Sequence, residues 1–313
     1  MSETSRVLVT GGAGFVGATL VRRLVESGHT VRVFDNYSTG DASYLAGVDA
    51  EQVEGDIRDA AALDAALAGM DSVIHLAAAG SVVVSVQDPV MNFEANVVGT
   101  FKVLDAARRA GVERMVLAST GGALIGDATP PVDEGSLPKP ISPYGASKLA
   151  GEGYAYAFSK AYGLRTVALR FANVYGPWSA HKKGSTTLFF RAIHAGEPMV
   201  IYGDGSSSRD YIHVDDISWA LAASLERDLP GGTVLHIASG VETTVAELAR
   251  LCGEAAGVPD HPVEYRPTRV GEVDRNFATY DLAEQVIGYK PSIDRESGIR
   301  STWQWYQEHV FRG

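Results

Sequence analysis

An α/β fold, a doubly wound parallel sheet with a smaller second α/β lobe, is what this sequence predicts. Three observations carry that expectation. An apolar run at Val7–Val9 breaks into glycines and passes at once into a helical pattern. Further short apolar runs, at Val31–Phe34, Val73–Leu76, Met115–Ala118, Leu164–Phe171 and Val234–Ile237, follow with little polar alternation. Strands buried on both faces of a parallel sheet read this way. From Trp178 to Asp210 the strand–helix rhythm lapses, which marks the second lobe. A chain of 313 residues is long enough to bury a core in two lobes. The expected division is 1–175 with 211–240 for the sheet, and 176–210 with 241–313 for the smaller lobe.

The first turn reads Thr10-Gly-Gly-Ala-Gly-Phe-Val-Gly17. Gly11, Gly14 and Gly17 suit a tight turn, close backbone approach to a pyrophosphate, and close helix–strand packing. Phe15 and Val16 open the helix whose N-terminal N–H groups would face that anion. Val16, Leu20, Val21, Leu24 and Val25 form its apolar stripe, and Gly28 ends it. The second strand ends in Asp35, eighteen residues beyond Gly17, where a carboxylate accepts from an adenosine ribose. An acid there repels a 2′-phosphate, so NAD is expected rather than NADP.

The polar loop Asn36-Tyr37-Ser38-Thr39-Gly40 suits the adenosine half of such a cofactor. Val53–Ile57 reads as a third strand entering a loop. Asp56 is placed to accept from the adenine amino group with Ile57 against the ring, or to cap the Ala-rich helix 60–68. In the fourth strand His75 reads as a hydrogen-bonded core histidine, and Leu76, Ala77 and Ala78 lead into small residues that admit a cofactor. Asp88-Pro89 opens a long helix that Gly111 ends, and Asn96 on its apolar face needs a partner if buried. The fifth strand delivers Ser119-Thr120-Gly121-Gly122 to the same edge. Tyr211–Leu225 reads as a return helix.

Ser142-Pro143-Tyr144-Gly145-Ala146-Ser147-Lys148 starts another helix, with Tyr144 and Lys148 at i and i+4 on one face. A phenol titrates near pH ~10, too high for a base at neutrality. A nearby ammonium, a positive nicotinamide ring and the helix N-terminus all favour the phenolate.

The balance of 27 basic against 38 acidic residues, a net charge of −11, argues against nucleic acid or an anionic membrane as a partner. No run of about eighteen apolar residues is present, nor any signal-like start. Cys252 is the only cysteine and reads as helix packing, so no internal disulfide forms and a cytoplasmic location is expected. No metal-ligating cluster stands out.

Taken with their order, these motifs resemble the extended short-chain dehydrogenase/reductases, in particular the nucleotide-sugar 4-epimerase branch, with its Rossmann-type fold. The motifs are Gly11-x-x-Gly14-x-x-Gly17, Asp35-Asn-Tyr-Ser-Thr-Gly, Asp56-Ile57, His75-Leu-Ala-Ala, Asn96-Val-Val-Gly-Thr, Tyr144-x-x-x-Lys148 and Arg170-Phe-Ala-Asn-Val-Tyr-Gly-Pro177. Gly203-Asp-Gly and Arg209-Asp-Tyr-Ile-His match the second lobe. The resemblance implies bound NAD and a UDP-sugar substrate, and a homodimer built on the Pro89–Ala110 and Pro143–Tyr162 helices, which carry apolar residues beyond what one sheet contact requires. Tyr144 would take the proton from the sugar O4 while C4 gives up hydride, and Lys148 would hold the nicotinamide ribose. The transient 4-keto sugar turns over and is reduced on its other face.

Asn173, Arg209 and Arg269 would then lie on the phosphate side, with Glu272 on the uridine ribose. A hexose and a hexuronate remain open. The latter needs extra donors, which Ser81, Ser85, Ser119, Thr120 and Lys183 could provide. The chain departs from the pattern at Gly121, where many relatives carry the third catalytic hydroxyl, and at Ile125 in place of tyrosine. Thr120, Ser119 or a water would supply that hydroxyl. A 4,6-dehydratase would need an acidic pair at Gly121-Gly122. A non-catalytic NAD-binding scaffold would not need Tyr144 and Lys148.

Overall fold

The computed structural model describes residues 4–268 and 274–312. Among these, seven strands form one wholly parallel sheet: β1 (Arg6–Thr10), β2 (Thr30–Asp35), β3 (Glu51–Glu54), β4 (Ser72–His75), β5 (Arg114–Thr120), β6 (Arg165–Phe171) and β10 (Thr233–Ile237). Their order is β3-β2-β1-β4-β5-β6-β10, so the winding reverses between β1 and β4. Ligands of open α/β sheets sit at such a switch point, beyond the carboxyl ends of the strands.

Side chains alternate across the sheet as a strand requires. Val7 and Val9 pack with α1 (Phe15–Glu26), while Leu8 faces α2 (Ala60–Leu67) on the other side. Helices α3 (Val82–Gln87), α4 (Pro89–Phe93) and α5 (Gly99–Arg109) follow β4. The short α6 (Gly122–Ile125) and the long α7 (Pro143–Tyr162) come next. Val103, Leu104, Ala155 and Phe158 place α5 and α7 beside α2. Ser142 caps α7 by accepting from the Gly145 N–H at 3.2 Å, with Pro143 in the first turn and Gly163 at the end.

The remaining elements build the second lobe and its link. β7 (Asn173–Tyr175) pairs with β9 (Ser208–His213), which also pairs with β11 (Glu242–Thr244) and β13 (Arg275–Asn276). β8 (Met199–Tyr202) pairs with β12 (Val263–Arg266). Helices α8 (Ser185–Ala195), α10 (Val245–Ala255) and α12 (Arg295–His309) share a core containing Phe190, Leu248, Cys252 and Trp303. α9 (Val214–Glu226) and α11 (Asp281–Ile287) return to the main sheet beside α1.

Three expectations need correcting. The long helix after Asp88 is divided: residues Glu94–Val98 make a π-turn between α4 and α5. Such a turn inserts a residue and re-aims side chains, and Asn96 lies within it. The cap of α2 is Asp59, whose carboxylate accepts from the N–H groups of Ala61 and Ala62, not Asp56. Tyr211 is in β9; the helix begins only at Val214, capped by His213. The alternating burial of Ser208 and Asp210 around half-exposed Arg209 is that of a strand. Among the described residues, no helix is long and apolar enough to cross a membrane.

One buried network locks α7 onto the sheet. Glu152 Oε1 accepts from Ser119 Oγ at 2.6 Å and Arg170 Nε at 3.0 Å, and Oε2 from Arg170 Nη2 at 2.8 Å. Both charged side chains are under a tenth exposed. Removing one partner strands a buried charge, so Arg170→Leu should lower the unfolding free energy by about 3–5 kcal/mol. Adding Glu152→Leu should recover much of that loss in urea denaturation. A double variant as unstable as the sum of the singles would contradict the pairing.

Candidate active site

Gly11 ends β1 with φ +72°. A Cβ there would lie 2.6 Å from the Ala77 backbone nitrogen, so only glycine lets the ends of β1 and β4 meet so closely. Gly17 is held to glycine by contact instead: a Cβ would sit 2.4 Å from the Gly11 carbonyl oxygen. Gly14 caps α1 without a side-chain acceptor, leaving the first-turn N–H groups, including those of Phe15 and Val16, available to an anion.

Asp35 stands beside this turn, its carboxylate accepting from the Ala13 N–H at 3.0 Å and the Tyr37 N–H at 2.9 Å. Burial pushes its pKa up while these N–H bonds pull it down. Asn36 bridges outward, accepting from the Ser38 N–H and donating to Asp56. Ser38 and Thr39 are exposed along the rim, and Gly40 is pressed against Ala13. Asp56 is clasped by Arg58, which holds its carboxyl well below the ordinary range. Ile57 is buried, its Cδ1 in the space that Gly99 leaves empty.

Across the switch point, Leu76, Ala77 and Ala78 are half-buried. Asn96 ties the next residue down: its Oδ1 accepts from the Ala79 N–H at 2.8 Å, and its Nδ2 donates to Ser147 Oγ at 3.0 Å. Asn92 adds a bond to the Ala79 carbonyl. His75 is buried between Thr10 Oγ1 at 2.7 Å and Thr100 Oγ1 at 3.0 Å, and burial pushes it down to about 3. It is a neutral core histidine.

Tyr144 and Lys148 face this crevice from α7, with Lys148 Nζ 6.0 Å from the Tyr144 ring centroid. Lys148 donates to the Ala118 carbonyl at 2.9 Å. Ser85 is fully buried and holds the first turn of α7: its Oγ accepts from the Tyr144 N–H at 3.1 Å and donates to Val82 O at 2.7 Å. That hydroxyl is committed inside the protein, and Ser81 serves as the cap of α3. Thr120 is half-buried at the end of β5 and, among the described residues, has no hydrogen-bond partner for its hydroxyl. Ser119 is spent on Glu152. Of the two strand-end hydroxyls, Thr120 is therefore the free one.

The glycine pair at 121–122 has a physical reason. A Cβ on Gly121 would come within 3.3 Å of His236 Nδ1, and one on Gly122 within 3.0 Å of Asn276 Oδ1. His236 is pushed down to about 4, chiefly by burial and then by Arg170.

The profile of the NAD dependent epimerase/dehydratase family matches residues 7–238. The chain belongs to that family. Its cofactor is NAD, and the glycine turn, uncapped α1 and Asp35 fit one. A UDP-glucose 4-epimerase of Mycolicibacterium smegmatis is 39% identical, over 96% of this chain and 98% of the relative. The structure of a Thermotoga maritima UDP-glucose 4-epimerase with UDP-glucose superposes with a TM-score of 0.92, at 36% identity, covering 97% and 99% of the two chains. A Thermus thermophilus UDP-glucose 4-epimerase complexed with NAD gives 0.91 at 36%, covering 97% and 100%.

On the second-lobe side of this family site, Asn173 is exposed on β7 and Arg209 lies on the neighbouring β9. Arg209 Nη1 donates to the carbonyls of Ser208 and Asp274. Arg269 and Glu272 lie outside the described residues. Sequence reading missed Glu152, although it stands at i+8 from Tyr144 and i+4 from Lys148 on the same helical face. It also passed over Ser147, which bonds both Asn96 and the Tyr144 carbonyl.

The chain's own groups do not bring Tyr144 toward neutrality. Burial pushes the phenol up to about 12. Lys148 is pushed down to about 8, first by burial and then by Lys182, with Glu152 opposing. Between about pH 8 and 10.5 the unfolded chain keeps a proton that the folded chain has released, so stability rises with pH across that window. Lys148→Met should therefore stabilise the cofactor-free protein at pH 7 by about 1–3 kcal/mol. The gain should shrink toward pH 10 in urea titrations. A variant destabilised equally at both pH values would overturn the assignment.

Proposed function

We propose that the protein is an NAD-dependent UDP-sugar 4-epimerase, acting on a UDP-hexose or UDP-hexuronate through a transient 4-keto sugar. The observation that carries this reading is the placement of Tyr144 and Lys148 on one face of α7, at the crevice where the glycine turn meets β4. In this reading the seven-stranded sheet layer holds the cofactor, and the lobe with Asn173 and Arg209 holds the nucleotide diphosphate. Residues 1–175 with 211–240 and 176–210 with 241–313 remain the proposed division, with β9 reaching across its boundary at 211.

Tyr144 takes the proton from the C4 hydroxyl as C4 is oxidised and returns it after the sugar has turned over. Lys148 keeps its ammonium beside the phenol and reaches the nicotinamide ribose. When bound, NAD supplies a reversible hydride acceptor and the positive ring whose charge offsets the burial that raises Tyr144. Thr120, or a water in its place, bridges the sugar hydroxyl and Tyr144. Asp35 takes the adenosine ribose, and the α1 N-terminus the pyrophosphate. A dehydratase would need acids where Gly121 and Gly122 stand, but neutral His236 and the Asn276 amide line that place.

Tyr144→Phe should lower turnover by about 10²–10⁴-fold with UDP-sugar affinity little changed. Thr120→Val should cost less, because a water can replace its hydroxyl. Product analysis by NMR on UDP-glucose, UDP-galactose and UDP-glucuronate tests both the reaction and the sugar. No interconversion of any would sink the reading.

We also infer a homodimer. Val83 and Val86 on α3, and Val90 and Phe93 on the next helix α4, are 55%, 63%, 69% and 52% exposed. Phe101, Tyr154, Phe158 and Tyr162 form a run of edge-on aromatic contacts on α5 and α7. A surface of this kind suits a second copy of the chain. Light scattering at micromolar concentration should give twice the chain mass, and a monomer would exclude it.

A further inference from the structure

Lys182 reaches the crevice from the segment that follows β7, with its ammonium close enough to act on Lys148. The segment that carries it is anchored at Ser179, which is buried and donates to the Gly176 carbonyl at 2.6 Å. Ser179 Oγ also lies 3.0 Å from Tyr306 Oη. The Lys182 N–H bonds the Ser179 carbonyl at 2.8 Å, and the neighbouring His181 ring lies against Tyr44. The root of the lysine is thus fixed; the residue keeps an exposed surface, but burial around its ammonium pushes the Lys182 pKa down.

That side chain ends over the loop following β4. A Cβ placed on Gly80 would meet Lys182 Nζ at 3.8 Å and no other neighbour within 4 Å. Gly80 adjoins Ala79, which Asn92 and Asn96 hold, so the ammonium stands over the rigid part of the crevice floor. Among the described residues Lys182 has no carboxylate or hydrogen-bond partner for its ammonium. Its charge is felt at Lys148, and the carboxylate offsetting Lys148, Glu152, is already bonded to Arg170 and Ser119. Two cations therefore stand close enough at this crevice to act on each other, in a chain whose net charge is −11. Such a pair is stabilised by an anion entering between them. The cofactor's pyrophosphate has its own place at the uncapped end of α1.

We propose that Lys182 is a substrate-binding residue that pairs with an oxyanion of the sugar nucleotide, either a hexuronate carboxylate or the diphosphate. The proposal rests on the UDP-sugar reading above and adds a residue that sequence motifs did not single out.

The test is calorimetric binding of UDP, UDP-glucose and UDP-glucuronate to the NAD-loaded protein and to its Lys182→Met and Lys182→Arg variants. Thermal melts establish that each variant is folded. Lys182→Met should weaken binding by about tenfold, the usual scale for losing a charge-assisted bond, and Lys182→Arg should restore most of it. A loss confined to UDP-glucuronate identifies the carboxylate. An equal loss for all three, UDP included, identifies the diphosphate. Unchanged affinity for all three, or a loss of NAD content alone, overturns the proposal. A wild-type protein that binds none of them instead refutes the UDP-sugar reading itself.

Discussion

The buried pair between Arg170 and Glu152 is the interaction on which the geometry of the site depends. Glu152 fixes the rotation of α7 about its axis, because its two oxygens are committed to β6 and to Ser119 on β5. Once that face is set, the residues one and two turns earlier, Lys148 and Tyr144, must stand over the carboxyl ends of the same strands. The Ala118 carbonyl receives Lys148 from the strand that also supplies Ser119. At the far end of the helix the Ser85 hydroxyl receives the Tyr144 N–H. Position along the axis and rotation about it are thus held by different contacts.

The cost of this arrangement is desolvation. Burial moves Tyr144 up and Lys148 down, so it opposes the charged form of both members of the pair. A phenolate beside an ammonium becomes favourable only when further positive charge enters the crevice. In the proposed mechanism, a base that stays weak until its redox partner is in place avoids idle proton exchange, which would couple the two ligands. Stability is given up locally for that coupling, which a well-packed Met at position 148 would not sacrifice.

The parts of this design that depend on neighbours in sequence were legible in it. The glycine turn, Asp35, the Ser142-Pro143 cap and the Tyr144–Lys148 spacing each express a local rule of backbone or helix geometry. What escaped depends on residues brought together from far along the chain. Nothing near Gly121 announces His236 and Asn276, whose side chains crowd the places where a Cβ would go. The π-turn at Glu94–Val98 was equally hidden, since its apolar spacing reads as one helix. Its reason is tertiary: it aims Asn96 at both Ala79 and Ser147. Asp56 and Asp59 compete for the same cap, and Arg58 decides between them by occupying Asp56. The Tyr211 error arose because the apolar residues of β9 run directly into those of α9.

The join between the two lobes shows how a local strain can be held by distant packing. Trp178, just after the β7 strand, has φ +69°, a region that bulky residues avoid at a cost of about 1–3 kcal/mol. Its indole packs against three side chains: the Arg22 guanidinium lies 4.4 Å from the ring centroid, the Tyr44 ring 5.1 Å away and the Trp305 ring 5.2 Å away. Arg22 belongs to α1 and Tyr44 to the segment after the Asn36–Gly40 loop, whereas Trp305 belongs to α12. The strained residue is therefore a shared contact of α1, the segment around Tyr44 and α12, and that packing from distant parts of the chain holds it. Ser179 and His181 follow directly, so the same contact fixes where Lys182 emerges. The position of the Lys182 ammonium is thus tied to packing that begins at Arg22 on α1.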